Sequence, residues 1–208
     1  MPTPFNLTPG EYSLLKKLRT PWAIQDFLET LPINFEPEGD TCLSPRRVLR
    51  ERRAHCMEGA MLAALALRIQ GEQPLVVDLT AAPHDQDHVI TVFRRHGLWG
   101  AISKTNHSVL RYREPIFRTI RELALSFFHE YTDPIGRKTL RSYSAPVNLA
   151  RFDKKGWMTS EEDVWYIPQL LSEVRHYPLL TRPHLATLRR ADPLEIAAGK
   201  LTAWKKKK

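Results

Sequence analysis

Residues 56–69 (CMEGAMLAALALRI) carry apolar side chains on almost every face. Met57, Ala60, Met61, Ala64 and Leu65 form one stripe at helical spacing, and Leu62, Ala66 and Ile69 extend it to other faces. The pattern predicts a helix buried at the centre of the fold and ended by Gly71. Beyond it the period changes to two. PLVVDL (74–79), HVITVF (88–93) and LWGAIS (98–103) are rich in β-branched and aromatic residues and read as strands. A polar loop, TAAPHDQD, separates the first two, and a short turn at His96-Gly97 makes the last two an antiparallel hairpin. By the same period His88, Ile90 and Val92 share one face, so a histidine opens an apolar face expected to look back at the packed helix.

On the N-terminal side, TPGEYSLLKKL and TPWAIQDFLETL each open with Thr-Pro, a cap followed by proline, and predict two helices. The segment from Pro32 to Cys42 is held as a loop by Pro32, Pro37 and Gly39-Asp40. On the C-terminal side, residues 112–134 predict an amphipathic helix with Ile116, Ile120, Leu123, Phe127 and Tyr131 on its apolar face, stopped by Asp133-Pro134. Residues 134–158 read as loop, and 159–180 as a capped helix kinked at Pro168. Thr181 to Trp204, with Pro183 and Pro193, reads as short helices or an arm wrapping the core. The expected class is α+β: the central helix on a small antiparallel sheet, surrounded by added helices. The expected organisation is a core with N-terminal helices over 1–133 and a C-terminal extension over 134–208 that packs on it and ends in a basic tail.

Composition adds little to that picture except charge. The 208 residues are 42% hydrophobic and 26% charged, with a net charge of +8, an ordinary globular balance. Arg46, Arg47, Arg50, Arg52 and Arg53 run just ahead of Cys56, and Lys205 to Lys208 end the chain. Such charge can hold phosphate. No nucleic-acid-binding motif accompanies it, however, and the aromatics are not interleaved as a stacking platform requires, so nucleic acid is a weakly supported partner. The arginines are expected on the solvated face of a short helix begun by Ser44-Pro45, or beside the site to receive an acidic substrate. No run of 18 apolar residues and no basic-then-apolar leader occur, which predicts no membrane association and a cytoplasmic location. Cys42 and Cys56 are too few for a disulfide scaffold and are expected free. His84, Asp85, Asp87 and His88 are metal-ligand types within five residues, but without a second cluster a solvated loop is expected, with no metal and no cofactor.

The chemistry centres on Cys56 in the first turn of the buried helix. Free N–H groups and the positive dipole end stabilise a thiolate there, and a neighbouring imidazolium, for which His88 is the candidate, stabilises it further. Glu58, in the same turn, suits the dipole but would disfavour a thiolate if it pointed the same way.

The stretch SPRRVLRERRAHCMEGAMLAALALRIQGEQPLVVDL, then DHVITVF, then GLWGAIS resembles the transglutaminase-like superfamily over roughly residues 44 to 106. In that family a cysteine at a helix start, a histidine on a following strand and an acid on the next form a papain-related core. The resemblance implies thiol-dependent acyl transfer on a protein, peptide or small amide, as a cysteine peptidase, amidase or transglutaminase-like enzyme. Members usually carry an Asp four residues after the tryptophan, and Ser103 stands there in this chain. Asn106 is a second candidate for orienting His88, as the asparagine of papain-like proteases does, provided a bulge or strand end corrects its parity. Asp87 adjoins His88 and would point to the opposite face. The third member is therefore open between Ser103 and Asn106, and the missing acid supports an alternative: a catalytically inactive transglutaminase-like binding or scaffold module.

Overall fold

The computed structural model describes residues 3–205; Lys206 to Lys208 of the basic tail lie outside them. Three of its helices begin at a proline behind a hydroxyl cap: α1 (Pro9–Lys17) on Thr8, α2 (Pro21–Glu29) on Thr20 and α3 (Pro45–Glu51) on Ser44. Each cap oxygen accepts a first-turn N–H that has no partner inside the helix. The apolar segment forms α4 (Cys56–Ile69), buried from Met57 to Leu67, and the chain leaves it through Gly71 at a φ of +91°.

The strands are β1 (Leu75–Ala81), β2 (His88–Arg95), β3 (Leu98–Ser103), β4 (Arg113–Phe117), β5 (Leu140–Ser144), β6 (Val147–Asn148) and β7 (His176–Pro178). They form one antiparallel sheet in the order β4-β3-β2-β1-β5-β7, with β6 also pairing β1. His96 and Gly97, both at positive φ, make the β2–β3 turn, as a two-residue hairpin requires. The remaining helices are α5 (Ile120–Leu125), α6 (Tyr166–Glu173), α7 (Arg182–Ala186) and α8 (Pro193–Gly199).

Apolar layers cover both sheet faces. Val76, Val89, Phe93 and Ile102 pack with α4, and the Thr91 hydroxyl donates to the Ala60 carbonyl at 2.5 Å. Val77, Leu79, Ile90, Val92 and Ala101 pack with Leu123, Phe127 and Tyr131. This reverses the expected facing of β2: Ile90 and Val92 look away from α4, and the alternate residues look toward it. Period two could not orient a strand that is apolar on both sides.

Three further expectations are corrected. Residues 112–134 are not one helix: Arg113–Phe117 is strand β4, with Ile116 exposed, and a new cap at Thr119 starts the short α5. Pro115 fits there because β4 is an edge strand. The stretch 134–158 is not loop throughout, since β5 pairs with β1 and a 3-10 helix spans Leu149–Lys155. Between 159 and 180 the helix starts only at Tyr166, so Pro168 lies in its first turn, where no kink results, and β7 follows. Residues 134–208 thus contribute β5, β6 and β7 to the same sheet that carries His88.

Candidate active site

Cys56 is the first residue of α4 and lies partly exposed in a cleft of about 530 Å³. His88 is the first residue of β2 and also lines that cleft. Because Ile90 pairs with Ser103 across the β2–β3 ladder, His88 and Ser103 are diagonal neighbours on one face. The His88 Nε2 and the Ser103 hydroxyl are 2.7 Å apart. That hydroxyl has one hydrogen, which it donates to the Leu110 carbonyl at 2.5 Å. Ser103 can therefore only accept from His88, which places a hydrogen on Nε2 and leaves Nδ1 as the basic nitrogen in the neutral ring. Gln25 of α2 fixes the same residue from behind: its amide nitrogen donates to the Ser103 carbonyl at 2.8 Å, and its oxygen accepts the Ser103 N–H at 2.9 Å.

A second imidazole flanks the thiol. His55 caps α4 through Nδ1, which accepts the Met57 N–H at 3.2 Å, while Nε2 donates to the Thr41 carbonyl at 3.0 Å. Glu58 completes the capping box by accepting the His55 N–H at 2.9 Å. Its carboxylate is fully buried and also accepts from the Leu43 N–H, the Thr41 hydroxyl and the Asn34 amide. Glu58 thus points into the 34–43 loop and not at the thiol, which answers the question its position raised.

Burial works against a thiolate at Cys56, but hydrogen bonds and charge from His55 and His88 outweigh it and bring the thiol down from 9.0 to about 5. Burial likewise opposes charge on His55, yet its bonds to Cys56 and the Thr41 carbonyl and the charges of Glu58 and Cys56 push it up to about 9. Cys42 behaves in the opposite way: buried in the core and near Glu58, its thiol is driven far up. Both cysteines are free.

The remaining candidates take other roles. Asn106 lines the cleft, but its amide is spent on the C-terminal segment, donating to the Trp204 carbonyl at 3.0 Å and accepting the Trp204 N–H at 2.9 Å. Asp87 accepts the Ala81 N–H at 2.7 Å, and Asp85 accepts the Thr139 hydroxyl. His84 stands 3.6 Å from Asp133. These side chains diverge, and no group of three or more ligand-type residues converges among the described residues. Four of the five arginines of the run are held in ion pairs, Arg46 with Glu11, Arg47 with Glu51 and Asp163, Arg50 with Glu161 and Arg53 with Glu51, while Arg52 lies over the Phe27 ring. The cleft itself is lined by carboxylates, among them Glu36, Asp85, Asp87 and Glu130. Lys104 is the buried cation there, 1% exposed, its Nζ donating to the carbonyls of Leu28 and Leu31 at 3.0 and 2.6 Å; burial lowers it to about 8.

No family model matches the chain, and no curated protein matches it. Among solved structures it is similar to calcium-bound LapG of Legionella pneumophila, at 17% identity and a TM-score of 0.35. The superposition covers 45% of this chain and 57% of LapG, so the chain spans just over half the length of that protein. No helix among the described residues is long and apolar enough to cross a membrane.

Proposed function

We propose that the chain is a thiol-dependent acyl-transfer enzyme of the transglutaminase-like kind, with Cys56 as nucleophile and His88, oriented by Ser103, as base. The observation that carries this reading is the thiol at the first residue of a fourteen-residue buried helix, held between two imidazoles and brought down to about 5. A group so perturbed, in an open cleft, is the expected signature of a reactive site. The thiolate attacks the carbonyl carbon of an amide, and the electron pair moves to oxygen. The Cys56 N–H, which has no acceptor among the described residues, is available to that oxyanion. The C–N bond then breaks, the departing amine takes a proton from an imidazolium of the site, and a thioester remains. His88 accepts the proton of the water or amine that resolves the thioester. Orientation by a serine supplies a fixed tautomer without a negative charge.

The cleft is an open one on the protein surface, as a polypeptide or a small amide requires. Incubating the protein with a defined peptide mixture, with and without a primary amine, tests the reading by mass spectrometry. New termini or amine adducts absent from Cys56→Ala are expected. Ser103 in place of a carboxylate favours a second reading, a module that binds through the same cleft without turnover. Peptide retention that is equal in the parent and Cys56→Ala, with no product in either, would establish it.

A further inference from the structure

The residues Asn106 to Ser108 lie just past the end of β3, and Asn106 and His107 line the cleft that holds Cys56 and His88. Against them the C-terminal segment runs in the antiparallel sense, bridged at His107 and Thr202. The Ser108 N–H donates to the Leu201 carbonyl and the Ala203 N–H to the Asn106 carbonyl, both at 2.9 Å. Side chains continue what the backbone begins. The Asn106 amide grips the Trp204 N–H and carbonyl, while the His107 Nδ1 donates to the Gly199 carbonyl at 2.8 Å and the Ser108 hydroxyl to the Ala198 carbonyl at the end of α8. All six partners on the C-terminal segment are main-chain atoms, four of them on the stretch 201–204. Contacts of this kind read a backbone and not its side chains, as when a peptide adds to an open strand edge.

The arm that supplies these groups is held shallowly. Ala191 is the only buried residue of 181–205, and Leu194 and Leu201 are 79% and 63% exposed. Beyond 106–108 it is tied through the Ala191 N–H, which donates to the Gly136 carbonyl at 2.8 Å, and through Glu195, 3.6 Å from Lys138. Its departure uncovers little apolar surface, so it belongs to the parts of a fold that open most easily. Ile196, Gly199 and Lys200 of the same arm form one wall of the cleft.

We propose that the 106–108 edge is the seat of the substrate's backbone, that the substrate is an extended polypeptide, and that the C-terminal arm occupies the seat until a substrate displaces it. The inference rests on the thiol reading above and narrows its substrate. A polypeptide in the arm's place pairs with the Ser108 N–H and the Asn106 carbonyl and lies along the cleft that holds Cys56. A small ester or alkylating agent needs no such seat and reaches the partly exposed Cys56 with the arm docked. The arm is a tethered competitor. Its attachment to the chain gives it a high local concentration, and a polypeptide binds with an affinity lowered by the fraction of molecules in which the seat is free.

The test uses the full-length chain carrying both Asp192→Ala, which removes the α8 cap, and Ala203→Pro, which removes the N–H bonded to Asn106. Neither residue lines the cleft. The urea midpoint should match the parent, and the Ser108 amide should exchange with deuterium at least about tenfold faster. Product formation from the defined peptide mixture should rise about tenfold at low peptide concentration and converge on the parent rate at saturation. The burst with p-nitrophenyl acetate should stay within about twofold of the parent. A Ser108 amide that stays protected makes the arm part of the core and overturns the inference. Equal peptide rates with the arm released overturn it too, as does a burst that quickens along with peptide turnover, since the arm would then act on Cys56 itself. A parent without a burst overturns the thiol reading and this inference with it. Should the variant not fold, deuterium exchange of the parent decides. The Ser108 and Ala203 amides should exchange well before those of the β2–β3 ladder, and exchange in step with that ladder refutes a displaceable arm.

Discussion

Gly59→Ala, an exchange that favours an isolated helix, should unfold this protein more easily. A β-carbon added at Gly59 would sit 2.4 Å from the Lys104 Cβ and 2.9 Å from its Cγ. Those atoms are the rigid base of the side chain and not its flexible end, so the end of β3 or the start of α4 must move. Removing glycine from a helix interior contributes about 1 kcal/mol of stability. Overpacking costs about 1–3 kcal/mol. Displacing Lys104 also weakens at least one of its bonds to the Leu28 and Leu31 carbonyls, a charged donor worth about 1.5–3 kcal/mol. The balance is a loss of about 2–5 kcal/mol, a drop in Tm of roughly 5–15 °C for a chain of this size. Urea unfolding followed by circular dichroism measures it. Because Lys104 adjoins Ser103, the shift should also disturb His88 and slow Cys56 labelling at pH 6. A Gly59→Ala protein at least as stable as the parent would show that helix propensity outweighs the crossing, and that α4 and β3 do not touch here.

Ser103→Ala removes the acceptor for His88 and the donor for Leu110. It should lower stability by about 1–3 kcal/mol and turnover by up to about 10²-fold, read from urea melts and from product formation on the peptide mixture. Asn106→Ala should free the Trp204 segment, raising proteolysis near residue 204, while the pH profile of Cys56 labelling stays put; a moved profile would return Asn106 to the catalytic group. Asp78 is raised from 3.8 to about 6, chiefly by burial, with Asp87 adding to it against the Thr80 and His176 bonds. The folded state therefore binds that proton more tightly than the unfolded chain, and stability falls as pH rises from about 4 to about 6. Asp78→Asn should abolish that fall and gain up to about 2 kcal/mol at pH 8, checked by urea midpoints at pH 4, 6 and 8.

The parts that could be read from the sequence were those set by local pattern. Thr-Pro and Ser-Pro caps placed the first three helices, all-round apolarity placed α4, and His96-Gly97 placed the hairpin. Strand β5, LRSYS, could not be read, because its place is set by pairing with β1 some sixty residues earlier and not by its own pattern. The facing of β2 escaped for the reason that both its sides are buried. At the site, Ser103 is reached only through the resemblance to the transglutaminase-like superfamily, which expects an acid four residues after Trp99, and the sequence leaves Asn106 beside it as the alternative. The commitment of Ser103 to Leu110, and the Gln25 clamp, join residues far apart in sequence and leave no local signal. His55 could have been noticed: it stands beside Cys56, three residues before Glu58, in the spacing of a capping box with imidazole as the cap.

The central claim, that Cys56 is an acyl-accepting nucleophile, can be measured without knowing the natural substrate. Mixed with excess p-nitrophenyl acetate at pH 6, the protein should release a rapid burst of one nitrophenolate per chain. Peptide mapping of the quenched sample should place one acetyl group on Cys56, and Cys56→Ala should show no burst. Absence of a burst in the parent, or acetylation confined to Cys42 and surface lysines, would contradict the account.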